Sequence, residues 1–487
     1  MTQRPFLMRH IFPLLFLLLG ILSCHDDKSE TTLPNPPVET ARRTVLIYCA
    51  AQNSLGVSGT YYKSAWTEDS LELAAGKHFI SDDDRLLVFV DDAYHPRLYR
   101  FRADAAPELV WQWGYDANSA NPATFKDVLL RVKERFPAEE YGLSMWSHAD
   151  GWIPSSNTNY SRTVKRSNLQ EIEPSSCRDC HPEGARLENS NTRLLDYSTT
   201  RPLDYSTTQN LKDSTSRPSL FSFGIDVGQN GNMITDQAPN NNGLGAQMNI
   251  ADMAAAIQQS GLHFTYIFFD ACLMQCIEVA YELRDVTDYL IASPISIAAA
   301  GAYYTHMLER GFFSANPTDI AKTYYEDVTS EELARVYDDF GIVISALKTK
   351  ELDALAAAVR TALADIDFSA YPDLTDAHAY HVYSYNYYFR PHYYDMRSAL
   401  RHLLTDAQFA PVEAALTRAT AFYAATHKYW VGPRDSDYHS LALSECCGVS
   451  MFFPQKAYAD NASRCDFGNH NETYRSTSWA HAIGKGN

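Results

Sequence analysis

Four short runs constrain this chain most: Thr44–Ala51, Arg85–Asp91, Tyr141–Ser147 and Phe264–Asp270. They are apolar at nearly every position instead of every second one. A strand of that kind must be covered on both faces, as in a parallel sheet flanked by helices. Helical spacing falls between them. Tyr61–Ala75 is one such stretch. Asn121–Phe136 is another, with Pro122 near its start and Phe125, Val128, Leu129 and Val132 on one face. Strand, helix, strand at this spacing predicts an α/β fold with a mainly parallel sheet. Asn249–Gln259 and Leu273–Arg284 read as further helices, and Tyr289–Ser293 as a further strand. In the last third, Gly341–Ala346 and Val449–Pro454 read as strands and Thr349–Ile366 as a helix. These can extend the first sheet or build a second core.

A length of 487 residues suggests about two to four structural units. The first is a targeting segment. Arg4 and Arg9 precede an apolar run, Ile11–Leu22, too short to cross a hydrocarbon core of ~30 Å as a helix. The run ends in Leu22-Ser23-Cys24, which resembles the bacterial lipobox, where the chain is cut before a lipidated Cys. The alternative is an ordinary signal peptide with Cys24 incidental. His25-Asp26-Asp27-Lys28 resembles the export tag of surface lipoproteins in the Bacteroidetes. The expected organisation is a lipoprotein signal peptide over 1–23, a Pro-containing tether over 24–42, a core over 43–310 and a C-terminal α/β extension over 311–487. Within the core, 153–220 is a polar insertion rich in Ser, Thr, Asn and Arg, with an internal repeat at Leu195–Thr200 and Leu203–Thr208. The lipid would tie the protein to an outer membrane or cell surface through Cys24. A net charge of −18 argues against a nucleic-acid partner, which calls for a basic stripe.

Open parallel sheets carry their sites at the carboxyl ends of strands. Two runs here end in reactive residues, His148 and Cys272. A thiolate attacks far better than a thiol, and a nearby imidazole can take its proton and later protonate a leaving amine. If Cys272 opens the helix at Leu273, the helix dipole would favour thiolate. Its free N–H groups would also be oxyanion donors. Taken alone, a buried Cys is usually a core hydrophobe and a lone His is usually structural.

The surrounding sequences carry more. Tyr141–His148 followed by Gly151-Trp152 resembles the histidine motif of the clostripain family. Phe269-Asp270-Ala271-Cys272-Leu273-Met274, then Glu278–Leu283, resembles its cysteine motif closely. Thr44–Leu55, Ile342–Leu355 and Val449–Pro454 are similar to other segments of that family. The resemblance implies a caspase-like α/β/α sandwich and a cysteine peptidase with a Cys–His dyad, mapped onto Cys272 and His148. It implies a peptide or protein substrate and an oxyanion hole from the Ala149 and Cys272 amides. It also implies cleavage after basic residues, with Asp270 as a substrate-binding acid. Asp270 also reads as a helix cap. No cofactor is needed for the chemistry; calcium is implied for some members, and others cut themselves, for which Arg162, Lys165, Arg166 and Arg178 are candidates here.

Three positions depart from the family pattern. Ala149 stands where Gly is common, Gln52 where an acid is usual, and the Ser293–Tyr304 loop lacks the acids of basic-specific members. They motivate a second reading, a catalytically inactive surface lipoprotein that binds peptide or glycan. Other signals remain. Cys177-Arg178-Asp179-Cys180-His181 has the form of a c-type haem attachment site, with a local disulfide, a metal contact or chance as the blander readings. Cys447 and Cys465 could bridge in an exported protein. Cys49 and Cys276 read as core, and no zinc-type ligand set stands out. The Tyr-rich stretch His378–Tyr394 reads as packing at a sheet edge or as a binding ledge.

Overall fold

The computed structural model describes residues 39–53, 55–56, 64–92, 94–153, 222–226, 246–337, 340–385, 388–430, 438–441, 444–460 and 470–486. Cys24, Cys177, Cys180, His181, Cys465 and the basic residues of the insertion lie outside them.

The buried runs become strands β1 (Ala41–Ala50), β2 (Asp84–Asp91), β5 (Ala138–Trp146) and β8 (Phe264–Asp270). With β9 (Thr287–Ala292) they form five adjacent parallel strands in the order β9-β8-β5-β1-β2. Antiparallel pairs extend both sides, giving nine strands. One side gains β3 (Arg97–Phe101) and β4 (Glu108–Gln112). The other gains β10 (Val343–Lys348) and β13 (Thr420–Ala425). Two strands after residue 311, β10 and β13, therefore continue the same sheet. This is the caspase-like α/β arrangement that the family resemblance implies.

Side-chain alternation explains why both faces are apolar. Along β1, Leu46, Tyr48 and Ala50 enter one hydrophobic cluster while Val45, Ile47 and Cys49 enter another. Helix α1 (Ala65–Gly76), capped by Ser64, covers the second cluster through Leu73, together with helix Asp319–Thr329. Helices α2 (Pro122–Arg135), α3 (Ile250–Ser260) and α4 (Ile277–Leu283) cover the first. In α2, Asn121 caps, Pro122 takes the first turn, and Phe125, Val128, Leu129 and Val132 are buried, as the spacing predicts. Gly142 sits opposite Tyr266 in the ladder, and a Cβ there would lie 2.4 Å from that ring, so the strand needs glycine.

Three smaller sheets surround this core. β6 (Ser222–Asp226) pairs with β7 (Ala246–Asn249). β11 (Ala379–Tyr385) and β12 (Tyr388–Asp395) form a hairpin that pairs with β16 (Ser450–Met451). β14 (Lys428–Trp430) pairs with β15 (Tyr438–Ser440). The Tyr-rich stretch is thus the β11–β12 hairpin. Tyr380, Tyr393 and Tyr394 are buried, which is the packing arrangement for those three. Among the described residues no helix is long and apolar enough to cross a membrane.

Candidate active site

β5 and β8 are adjacent and parallel, with Trp146 opposite Asp270 as their last pair. His148 and Cys272 each lie two residues beyond it. The chain therefore delivers both to one rim of the sheet at the same level, on strands ~4.8 Å apart.

The segment after Cys272 differs from the sequence expectation. No helix opens there. Helix α4 starts at Ile277, with Cys276 as its N-cap. Between them the chain turns sharply, and Leu273 takes a left-handed φ of 65°. That conformation costs a branched residue about 1–3 kcal/mol and needs fixing from outside. The Ser293–Tyr304 loop fixes it: Leu273 N–H donates to Ile295 O at 3.0 Å and Gln275 N–H to Ser293 O at 3.0 Å. Cys272 therefore does not stand at a helix N-terminus.

A donor from that loop acts instead: Ile297 N–H points at Cys272 Sγ at 3.4 Å. It and the Ser296 hydroxyl favour thiolate, but burial dominates. It pushes the Cys272 thiol up to about 11, with the Asp150 and Asp270 carboxylates adding to the rise. Sequence reasoning passed over Ser296 and Ile297 because it weighed this loop only for its missing acids.

The histidine side is held by a strap. Gly224 N–H, in β6, donates to His148 O at 2.9 Å, and Ala149 bridges Phe223. Ser147 Oγ donates to Ala50 O at 2.7 Å and accepts from Ile225 N–H at 3.3 Å. Asn53 Nδ2 donates to Ala50 O and Ile225 O at 2.8 and 2.9 Å. Trp152 is fully buried against Phe452 and anchors the far end of the histidine segment. Burial pushes His148 down to about 4. Ala149 is not at positive φ, so the turn has no need of the family's usual glycine. Among the described residues neither the Ala149 nor the Cys272 amide is engaged by another acceptor. Gln52 donates to Asp92 O at 3.1 Å and Asp116 Oδ1 at 2.8 Å, a supporting role beside the rim.

Asp270 does not cap α4, which begins seven positions later. It is 3 % exposed, both its oxygens accept Ala302 N–H at 3.1 Å, and Oδ2 accepts the Tyr304 hydroxyl at 3.0 Å. Burial pushes it up to about 6 against those hydrogen bonds. Glu72, pushed up to about 7 by burial, accepts Tyr304 N–H at 2.8 Å on the same loop.

The remaining described cysteines are buried free thiols. Cys49 lies in β1, and Cys276 Sγ contacts Leu273 O at 3.6 Å. Cys447 Sγ donates to Asp395 at 3.4 Å, so in this structure it is a thiol and not half of a bridge. Among the described residues no group of three His, Cys, Asp or Glu is arranged to hold a metal ion.

Fold and rim chemistry together define a cysteine peptidase, a hydrolase of caspase-like fold. The chain belongs to the clostripain family, whose sequence model matches residues 47–168 and 236–483. No curated protein matches it. Solved structures similar to it include two C11 proteases. An inactive zymogen of a C11 protease from Parabacteroides distasonis shares 24 % identity over 91 % of this chain and 99 % of that one, with a TM-score of 0.62. A secreted C11 cysteine protease from Bacteroides thetaiotaomicron, in complex with an irreversible peptide inhibitor, shares 24 % identity over the same shares, with a TM-score of 0.61.

Proposed function

We propose that the chain is an endopeptidase that works through a Cys272–His148 dyad and a covalent acyl-enzyme. The observation that supports this most is the shared register of the two residues, each two positions past the Trp146–Asp270 pair. Both groups rest neutral, because burial disfavours charge on each. The proton therefore leaves sulfur as sulfur attacks the scissile carbonyl, and His148 takes it. The Cys272 and Ala149 amides receive the oxyanion. His148 then returns the proton to the leaving amine. Water, deprotonated by the same imidazole, releases the acid from the thioester. Asp270 supports the substrate pocket through the loop it holds. The peptide inhibitor bound by the similar Bacteroides protease supports a peptide substrate. Incubation of the full chain with proteome-derived peptides should yield new termini in mass spectra, absent after iodoacetamide treatment. No cleavage under reducing conditions, with or without added calcium, would favour a binding protein instead.

The same reading places an insertion at 153–220 and an extension at 311–487 around a core of 43–310. It also makes the protein an exported lipoprotein of the outer membrane or cell surface. The motif Leu22-Ser23-Cys24 after the apolar run supports this. Metabolic labelling with palmitate should mark the protein, and Cys24→Ala should lose the label and leave the membrane fraction. Label retained in that variant would overturn the anchor.

A further inference from the structure

We propose that Glu278 is a positioning residue for the Cys272–His148 pair: its buried carboxyl group fastens the chain after β16 to the cysteine turn and, through Phe452 and Trp152, to the histidine segment. This rests on the peptidase reading of the rim. Glu278 lies in the first turn of α4 and is fully buried. Just before it, a parallel bridge joins Cys276 to Ser450, and Ser450 N–H donates to Gln275 O at 2.9 Å. In a continuing ladder the next donor, Phe452 N–H, would find Ile277 O. The chain turns into α4 at Ile277 instead, and Glu278 Oε1 accepts that N–H at 2.8 Å. The side chain thus completes a ladder that the backbone leaves.

Phe452 leads from there to the histidine. Its ring meets Trp152 with centres 4.4 Å apart, and Tyr474 closes on both, 5.2 Å from Phe452 and 6.3 Å from Trp152. Trp152 ends the short stretch that begins at His148. Gly151, one residue earlier, takes a φ of +58° and lies on the cysteine turn itself. A Cβ there would come within 2.5 Å of Leu273 O, 3.0 Å of the Tyr393 ring and 3.2 Å of Cys276 Sγ. Tyr393, in β12, donates its hydroxyl to Asp150 O at 2.6 Å, and β12 pairs with β16. The histidine segment therefore lies between the cysteine turn and the strands that Glu278 fastens to that turn. An apolar side chain would be buried at this place with less cost than an acid. Glu278 Oε2 has no hydrogen-bond partner among the described residues, so what the acid adds is one acceptor aimed at Phe452. Burial pushes the group up to about 8, so at neutral pH it is an uncharged acceptor that an amide can replace.

The test compares Glu278→Gln, which keeps the acceptor, with Glu278→Met, which keeps the volume and loses it. Each full chain is assayed on one peptide substrate, well below its own Tm. Glu278→Met should lower kcat by about 10–100-fold, the scale on which misplaced reacting groups act, while KM stays within about threefold. Glu278→Gln should keep kcat within about threefold of the parent. If Glu278→Met only melts earlier, with kcat within about twofold of the parent, Glu278 serves stability alone and the proposal is overturned. Equal impairment of Glu278→Gln and Glu278→Met overturns it as well. Should Glu278→Met fail to fold, Phe452→Leu reads the same link, because it keeps the amide and removes the ring from Trp152. There kcat should fall at least about tenfold, and an unchanged kcat overturns the proposal. Hydrogen exchange followed by mass spectrometry reads the link without any cleavage. Glu278→Met should speed exchange over 148–152 and 272–276, and Glu278→Gln should not. Failure of the parent to cut peptides therefore counts against the peptidase reading, whereas unchanged exchange over 148–152 counts against the role of Glu278.

Discussion

Cys272→Ala should lower peptide hydrolysis by at least about 10⁴-fold, the scale on which loss of a covalent nucleophile acts. No neighbouring thiol can replace it. Cys276 is fully buried with its sulfur on Leu273 O, and Cys49 lies inside β1. The fold should survive. The thiol is half-buried and accepts from Ile297 N–H, in a loop also tied down by Leu273 N–H and Gln275 N–H. Its removal should cost about 1 kcal/mol or less, read as an unchanged far-UV spectrum and a small Tm shift. Hydrolysis within tenfold of the parent would show that another group attacks.

His148→Ala should lower kcat by about 10²–10⁴-fold, the usual worth of general acid–base catalysis. A second readout separates this role from a merely structural one. Burial holds Cys272 near 11 and His148 near 4, so at neutral pH the resting pair is thiol and imidazole. Thiolate is then the minor species, and its share grows about tenfold per pH unit. Alkylation of Cys272 by iodoacetamide should therefore climb steadily from pH 6 to 9, with no plateau at low pH. The climb should keep its shape in His148→Ala even though hydrolysis collapses. A plateau below pH 7 that vanishes in the variant would mean a preformed thiolate–imidazolium pair instead.

The parallel core was legible because burial on both faces leaves continuous apolar runs, and Asn121-Pro122 marked the start of α2 as clearly as its buried face marked its length. The edge hairpin β3–β4 was not. Its strands are five residues each, and β4 is mostly exposed, so neither continuous apolarity nor clean alternation survives. The helix start after Cys272 misled for a different reason. Leu273, Met274, Cys276 and Ile277 continue the apolar helical spacing of α4 back through the turn, and nothing in a leucine announces a positive φ. That conformation is imposed by Ile295 O and Ser293 O from a loop some twenty residues later in the chain. The Ile297 donor to the thiol was hidden likewise, since it acts through its backbone. Asp270 was visible as a strand-end acid. Its engagement with Ala302 and Tyr304 depends on a left-handed glycine at 301, which the sequence shows only as one Gly among alanines.

The dyad can be tested most directly by trapping it. A peptide carrying a thiol-reactive warhead at the scissile position is added to the native chain, and the adduct is mapped by mass spectrometry. One adduct per chain on Cys272, slowed at least about 100-fold in His148→Ala, is the predicted result. An adduct on Cys49, Cys276, Cys446 or Cys447, or hydrolysis that continues while Cys272 is fully modified, would contradict the account.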